Sequence, residues 1–294
     1  MLLANKLAKE CENTMHKRNI IILNHIFKNA GSTIVGILRN NFQECFVDFT
    51  KLIDDGVTTI AELPKYIQEN PTVSAMEVHH FFYDRFNMDG MTIYNILFLR
   101  NPFSRLRSTY DYFKRTPGSV FHAASIGMSF KEFVHFLAYE YGRYHCDNQM
   151  LRILNNEGRC TWEKWDTEKL TDRMLFDTIN KIKTIEVLGI VERFDESIIL
   201  AEDILRKGFP NIDMSYLILN NTPHGEKSTD YDSHIVFREL LGDTLYDDIK
   251  RRNEFDIELI ERADEELNLR ISKTEDFDKK TRDFKSRLQN REVS

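Results

Sequence analysis

Residues suited to holding an anion cluster in His25-Ile-Phe-Lys28-Asn29-Ala30-Gly31-Ser32-Thr33, directly after the β-branched run Asn19-Ile-Ile-Ile-Leu-Asn24. A buried strand that hands over to a helix through such a turn makes a natural anion cradle. Backbone N–H groups of the turn and of the helix N-terminus converge on a phosphate or sulfate, Gly31 permits close approach, and Ser32 and Thr33 add hydroxyl donors. The spacing is not that of a Walker A loop, which puts Lys immediately before Ser/Thr; here Lys28 opens the turn. Taken alone, the segment is equally compatible with an ordinary capped helix start.

A second cluster, Arg100-Asn-Pro-Phe-Ser-Arg105-Leu-Arg107-Ser108-Thr-Tyr110, shifts the balance. Arg100 ends an apolar strand pattern and Ser108 lies two turns into the helix that Pro102 opens. The two can converge on a phosphate, the guanidinium through two parallel hydrogen bonds. Two anion sites on adjacent strand ends point to a doubly phosphorylated nucleotide.

These side chains must be positioned by strands and helices in alternation. Strands are predicted at 19–24, 73–78, 92–99 and 184–191, with helices after the first turn (Ile34, Ile37, Leu38 and Asn41 at helical spacing), from Pro102 (Phe103, Leu106, Tyr110 and Phe113 on one face) and at 195–207. That order predicts an α/β, P-loop-like three-layer fold, a mostly parallel central sheet flanked by helices, with ligands beyond the carboxyl ends of the strands. Residues 1–18 read as an N-terminal extension, 19–268 as one domain, and 269–294 as a charged, solvated C-terminal tail.

Composition narrows the partners. With 40 basic and 47 acidic residues among 294, a net charge of −7, the chain does not advertise nucleic-acid or anionic-membrane binding. The longest aliphatic run, Ile20–Leu23, is far too short to span a bilayer, and residues 1–18 lack the apolar stretch of a secretory signal. Cys11, Cys45, Cys146 and Cys160 are scattered without metal-binding spacing, so the expectation is a soluble, cytoplasmic protein with reduced thiols and no metal. Any anion is held by a local cluster, and Lys28, Arg100, Arg105, Arg107, His79 and His80 are expected to gather near the strand ends.

Together the two clusters resemble the sulfotransferases that use 3′-phosphoadenosine 5′-phosphosulfate, in particular the branch related to carbohydrate 2-O-sulfotransferases of the heparan sulfate type. That family binds the 5′-phosphosulfate with a loop of the form H-x-P-K-x-G-[GS]-[ST], matched by His25, Lys28, Gly31, Ser32 and Thr33 with departures at Phe27 and Ala30. It binds the 3′-phosphate with R-x-P-x-x-R-x-x-S-x-Y, met by Arg100, Pro102, Arg105, Ser108 and Tyr110. Asp147-Asn-Gln149-Met-Leu-Arg152, the stretch from Val187 to Ser197, and that from Asn253 to Ala263 resemble later signatures of the family. Asn220 to Ser228 resembles its nucleotide-closing loop.

The resemblance implies transfer of a sulfuryl group to a hydroxyl acceptor on a carbohydrate or glycoconjugate, with Lys28 on the bridging oxygen of the donor. Residues 28–33 with Arg100 and Ser108 would hold the nucleotide. The family's catalytic His maps onto His80 in Glu77-Val-His79-His80-Phe81-Phe82, with His79 in its glycine position; His79 and Glu77 remain alternatives for the base. Gln149 and Arg152 suit either ligand contact or structure, and aromatic residues between Phe113 and Tyr144 suit either an acceptor wall or core. Two other readings compete: a P-loop-type nucleoside or small-molecule kinase, and a non-catalytic nucleotide-binding protein.

Overall fold

The computed structural model describes residues 18–49, 62–79, 87–141, 144–155, 169–216 and 234–292. Its centre is a five-stranded, all-parallel sheet in the order β2-β3-β1-β4-β5. The strands are β1 (Arg18–His25), β2 (Phe46–Asp48), β3 (Ala75–His79), β4 (Met91–Leu99) and β5 (Val187–Ile190). β1 is buried on both faces, as its unbroken aliphatic run dictates. Ile20 and Ile22 enter one core with Met76, Leu97 and Leu99, while Ile21 and Leu23 enter the other with Ala75, Ile96 and Phe98. Arg18 belongs to this strand, not to an extension, and its guanidinium donates to the carbonyls of Ile67, Asn70 and Val73 at 2.6–2.8 Å.

On one side of the sheet lie α1 (Gly31–Phe42) and, later in the chain, α8 (Phe194–Leu205). The opposite side carries α2 (Glu62–Glu69), α6 (Gln149–Leu154), α7 (Asp172–Ile182) and α11 (Glu254–Lys273). The α/β three-layer architecture expected from the sequence is thus present. A third core is built by α3 (Pro102–Arg115), α5 (Phe130–Tyr139), α9 (His234–Leu241) and α10 (Asp243–Arg252). There Phe103, Leu106, Tyr110 and Phe113 are all buried, as the spacing of α3 requires. Phe130 and Phe133 are core residues too, so most of the aromatic segment is packing, with Tyr139 and Tyr141 exposed. A short helix, α4 (His122–Gly127), links α3 to α5.

β2 is a three-residue edge strand that no alternation in the sequence announces. The expected solvated tail is also corrected. Residues 277–292 form α12 (Phe277–Glu292), and its Phe284 is 1% exposed among the residues of the α1/α8 side. Lys280 reaches Asp203 at 2.6 Å and Arg287 reaches Glu202 at 2.7 Å, both acids on α8. Nine charges in a sixteen-residue helix masked one apolar anchor: an amphipathic face this narrow is invisible until its receptor surface exists.

Cys45 and Cys146 are free thiols. Among the described residues no helix is long and apolar enough to cross a membrane, and no cluster of His, Cys, Asp or Glu could hold a metal ion. If α12 is an integral layer, Phe284→Ala will lower the unfolding free energy by about 3–5 kcal/mol. Urea denaturation checks this, and a change below about 0.5 kcal/mol would return the segment to the surface class.

Candidate active site

The parallel register brings the carboxyl ends of β1, β3 and β4 to one edge of the sheet, His25 beside His79 and Asn24 beside Leu97. The chain leaves β1 through Ile26–Ala30 and enters α1 at Gly31. Lys28 and Ala30 adopt left-handed backbone conformations, φ 65° and 61°. Ala30 is the N-cap and has no capping side chain, and the N–H groups of Ala30, Gly31 and Ser32 find no acceptor among the described residues. A helix start with converging donors and no acidic residue in its first turn suits an anion. The start of α3 is different, because Asn101 caps it, accepting from the N–H groups of Phe103 (2.9 Å) and Ser104 (3.3 Å).

Two contacts tie this loop to β4. Asn29, 2% exposed, donates from Nδ2 to the Phe98 carbonyl at 2.9 Å, and Arg100 donates from Nη1 to the Lys28 carbonyl at 3.0 Å. Asn29 therefore turns inward and positions the loop by its side chain. Glu192, just beyond β5, accepts from the Asn101 N–H at 3.1 Å and lies 4.0 Å from Arg100 Nε, which places the guanidinium beside the loop.

Gly31 has a steric reason to be glycine: a Cβ there would lie 1.9 Å from His25 Nε2. The His25 ring is held by Glu77, whose Oε1 is 2.5 Å from His25 Nδ1, and meets the His79 ring edge-on at 4.4 Å between centroids. Glu77 is thus engaged with the loop histidine, a link that nothing in the spacing of positions 25 and 77 announces. His79 stands at the end of β3, on the same edge. His80 lies outside the described residues, as does 217–233, which includes the expected closing loop.

Lys28 is half-buried, and among the described residues its ammonium has no carboxylate partner. It sits over the Tyr112 ring, 4.6 Å from the centroid. Burial, then the nearby Arg100 and Arg115 charges, bring its pKa down to about 8 against a weaker opposing pull from Asp111. Tyr112 and Arg115 lie four and seven residues after Ser108 and so share its face of α3, the face that looks toward the Lys28 loop. The sequence reading missed Tyr112, although this spacing from Ser108 is enough to find it.

Arg105 and Arg107 do not join the ligand edge. Arg105 is fully buried, donating to Gln149 Oε1 and, at 3.1 Å, to the His145 carbonyl. Arg107 pairs with Asp111 at 3.2 Å one turn along α3. Gln149 is 0% exposed and Arg152 pairs with Asp147 at 3.3 Å. Gly31→Ala should therefore push the His25 ring or the loop aside and weaken anion binding at the loop by about ten-fold or more without unfolding the protein. Calorimetry with circular dichroism checks it, and unchanged affinity would remove the loop from the site.

The sulfotransferase family profile matches residues 12–261. An uncharacterized protein of Archaeoglobus fulgidus is 25% identical over 252 residues, covering 84% of this chain and 96% of that protein. With the strand-loop-helix, the Arg100 segment and the parallel sheet all inside the matched region, the chain belongs to the sulfotransferase family.

Proposed function

We propose that this protein moves a sulfuryl group from 3′-phosphoadenosine 5′-phosphosulfate to a hydroxyl of a carbohydrate or glycoconjugate. The observation that carries the reading is the uncapped start of α1, with Lys28 at its mouth and Arg100 bonded to the same loop. Residues 28–33 hold the phosphosulfate: the N–H groups of Ala30, Gly31 and Ser32 and the hydroxyls of Ser32 and Thr33 face the anion, and Asn29 fixes their backbone. Arg100 and Ser108 take the 3′-phosphate.

The acceptor oxygen attacks sulfur, the bond from sulfur to the bridging oxygen breaks, and adenosine 3′,5′-bisphosphate departs. Charge grows on the bridging oxygen, and the Lys28 ammonium stabilises it there. The acceptor proton passes to His80, the proposed base, which follows His79 in the chain.

Adenosine 3′,5′-bisphosphate should bind far more tightly than ATP, and Arg100→Ala should weaken it roughly ten- to a hundred-fold, the effect of about 1.5–3 kcal/mol for a charge-assisted bond. Equal affinity for the two nucleotides overturns the reading. In a sulfur-35 transfer assay on glycans, glycolipids and phenols, Lys28→Ala and His80→Ala should abolish labelling while His79→Ala spares it. No labelled product from any acceptor would favour a nucleotide-binding protein without turnover.

The pH dependence has a definite sign. Lys28 acts as a cation, so the alkaline limb of kcat/KM for the donor, which reports the free enzyme, should begin near 8 and fall about ten-fold per pH unit above it. A profile flat to pH 10 would contradict the role of Lys28.

A further inference from the structure

We propose that Tyr112, braced by Phe27, is a positioning residue that holds the Lys28 ammonium at the mouth of the anion loop. The proposal rests on the reading of Lys28 as the group that acts on the leaving phosphate. Lys28 Nζ lies 4.6 Å from the Tyr112 centroid and 5.8 Å from that of Phe27. The negative face of a ring attracts an ammonium, more strongly where water is excluded. Unlike a carboxylate, it restrains the cation without neutralising it, so the full charge remains for an incoming anion.

The platform is itself fixed. Phe27 meets Tyr112 edge-on, with centroids 5.4 Å apart and planes at 84°, and Phe113 contacts Tyr112 at 5.3 Å. Phe27 also lies 5.6 Å from the His145 ring and 6.3 Å from His79, so it spans the gap between the loop and the third core. This accounts for an aromatic residue where the related loop pattern has proline. The Tyr112 hydroxyl makes no hydrogen bond among the described residues, which leaves the ring face as the working feature. Among the described residues, the charged groups facing Lys28 are Arg100 from the end of β4, and Arg115 and Asp111 from α3.

Selective ε-13C-lysine labelling of the full chain tests the arrangement, with the Lys28 signal assigned by Lys28→Arg. The expected result is an upfield, ring-shifted signal that titrates near 8. In Tyr112→Leu the ring shift should vanish and the midpoint rise as water reaches the amine; in Tyr112→Phe both should stay. Release of sulfur-35 sulfate from labelled donor, with water as acceptor, should fall roughly ten-fold in Tyr112→Leu and be restored in Tyr112→Phe. Affinity for adenosine 3′,5′-bisphosphate should hold within about two-fold in both.

Phe27→Leu should give a partial loss of the ring shift, a second reading should Tyr112→Leu fold poorly. An unshifted Lys28 signal in the unmutated protein, a Tyr112→Leu signal that does not move, or Tyr112→Phe failing as badly as Tyr112→Leu would overturn the platform. Full sulfate release by Lys28→Ala would instead overturn the functional reading, while the resonance data would still decide whether the ring holds the amine.

Discussion

Everything at the ligand edge depends on pinning one strained turn to the strand beside it. Lys28 and Ala30, neither of them glycine, take left-handed conformations that cost about 1–2 kcal/mol each. The buried Asn29 amide on the Phe98 carbonyl and the Arg100 guanidinium on the Lys28 carbonyl offset a comparable amount, the charged bond being the stronger of the two. Both contacts need β4 directly alongside β1, so the parallel order of the sheet is what makes the turn tenable. The same contact couples the two segments: Arg100, proposed for one end of the nucleotide, shapes the backbone proposed for the other.

A second constraint works from behind. Asp256 of α11 is fully buried, and its carboxylate accepts from the N–H groups of Met150 (3.0 Å) and Leu151 (2.8 Å) at the start of α6. Asn148, in a left-handed conformation, accepts from the Asp256 N–H at 2.9 Å, while Asn253 donates to the Cys146 carbonyl at 2.8 Å. Burial pushes the Asp256 carboxyl upward and the Arg105 charge opposes it. Such a network is tolerable because its donors and acceptors are matched. It locks α11 to α6, and α6 carries Met150, whose sulfur meets the Asn29 side chain and the Arg100 N–H at 3.5 Å. The late segments that resemble family signatures thus support the loop from the opposite face of the sheet.

Charge at the site is a matter of position, not of the net −7. Among the described residues, Lys28 faces Arg100 and Arg115 with Asp111 in opposition, and the N-terminus of α1 adds its dipole. Acidic residues elsewhere are engaged locally: Asp248 with Arg251 and Arg252, Glu202 with Arg206 and Arg287, Asp264 with Arg193. The excess negative charge therefore sits on helices α8 and α11, while the acids and bases of α10 balance.

The sequence by itself determined what rests on local periodicity and turn chemistry. An aliphatic run too short for a helix and flanked by a Lys/Gly/Ser turn had to be a buried strand, and Pro102 before a Phe103/Leu106/Tyr110/Phe113 stripe had to open a helix. Strand-helix alternation then implied the parallel sheet and the edge where ligands bind. Contacts between distant segments were decided only in three dimensions. Glu77 meets His25 because β3 pairs with β1 in one register, Arg105 turns inward because α6 offers it Gln149, and α12 docks because α8 offers a receptor for Phe284. Each is a pairing across tens of residues, set by which surfaces the sheet brings together, and no spacing along the chain encodes it.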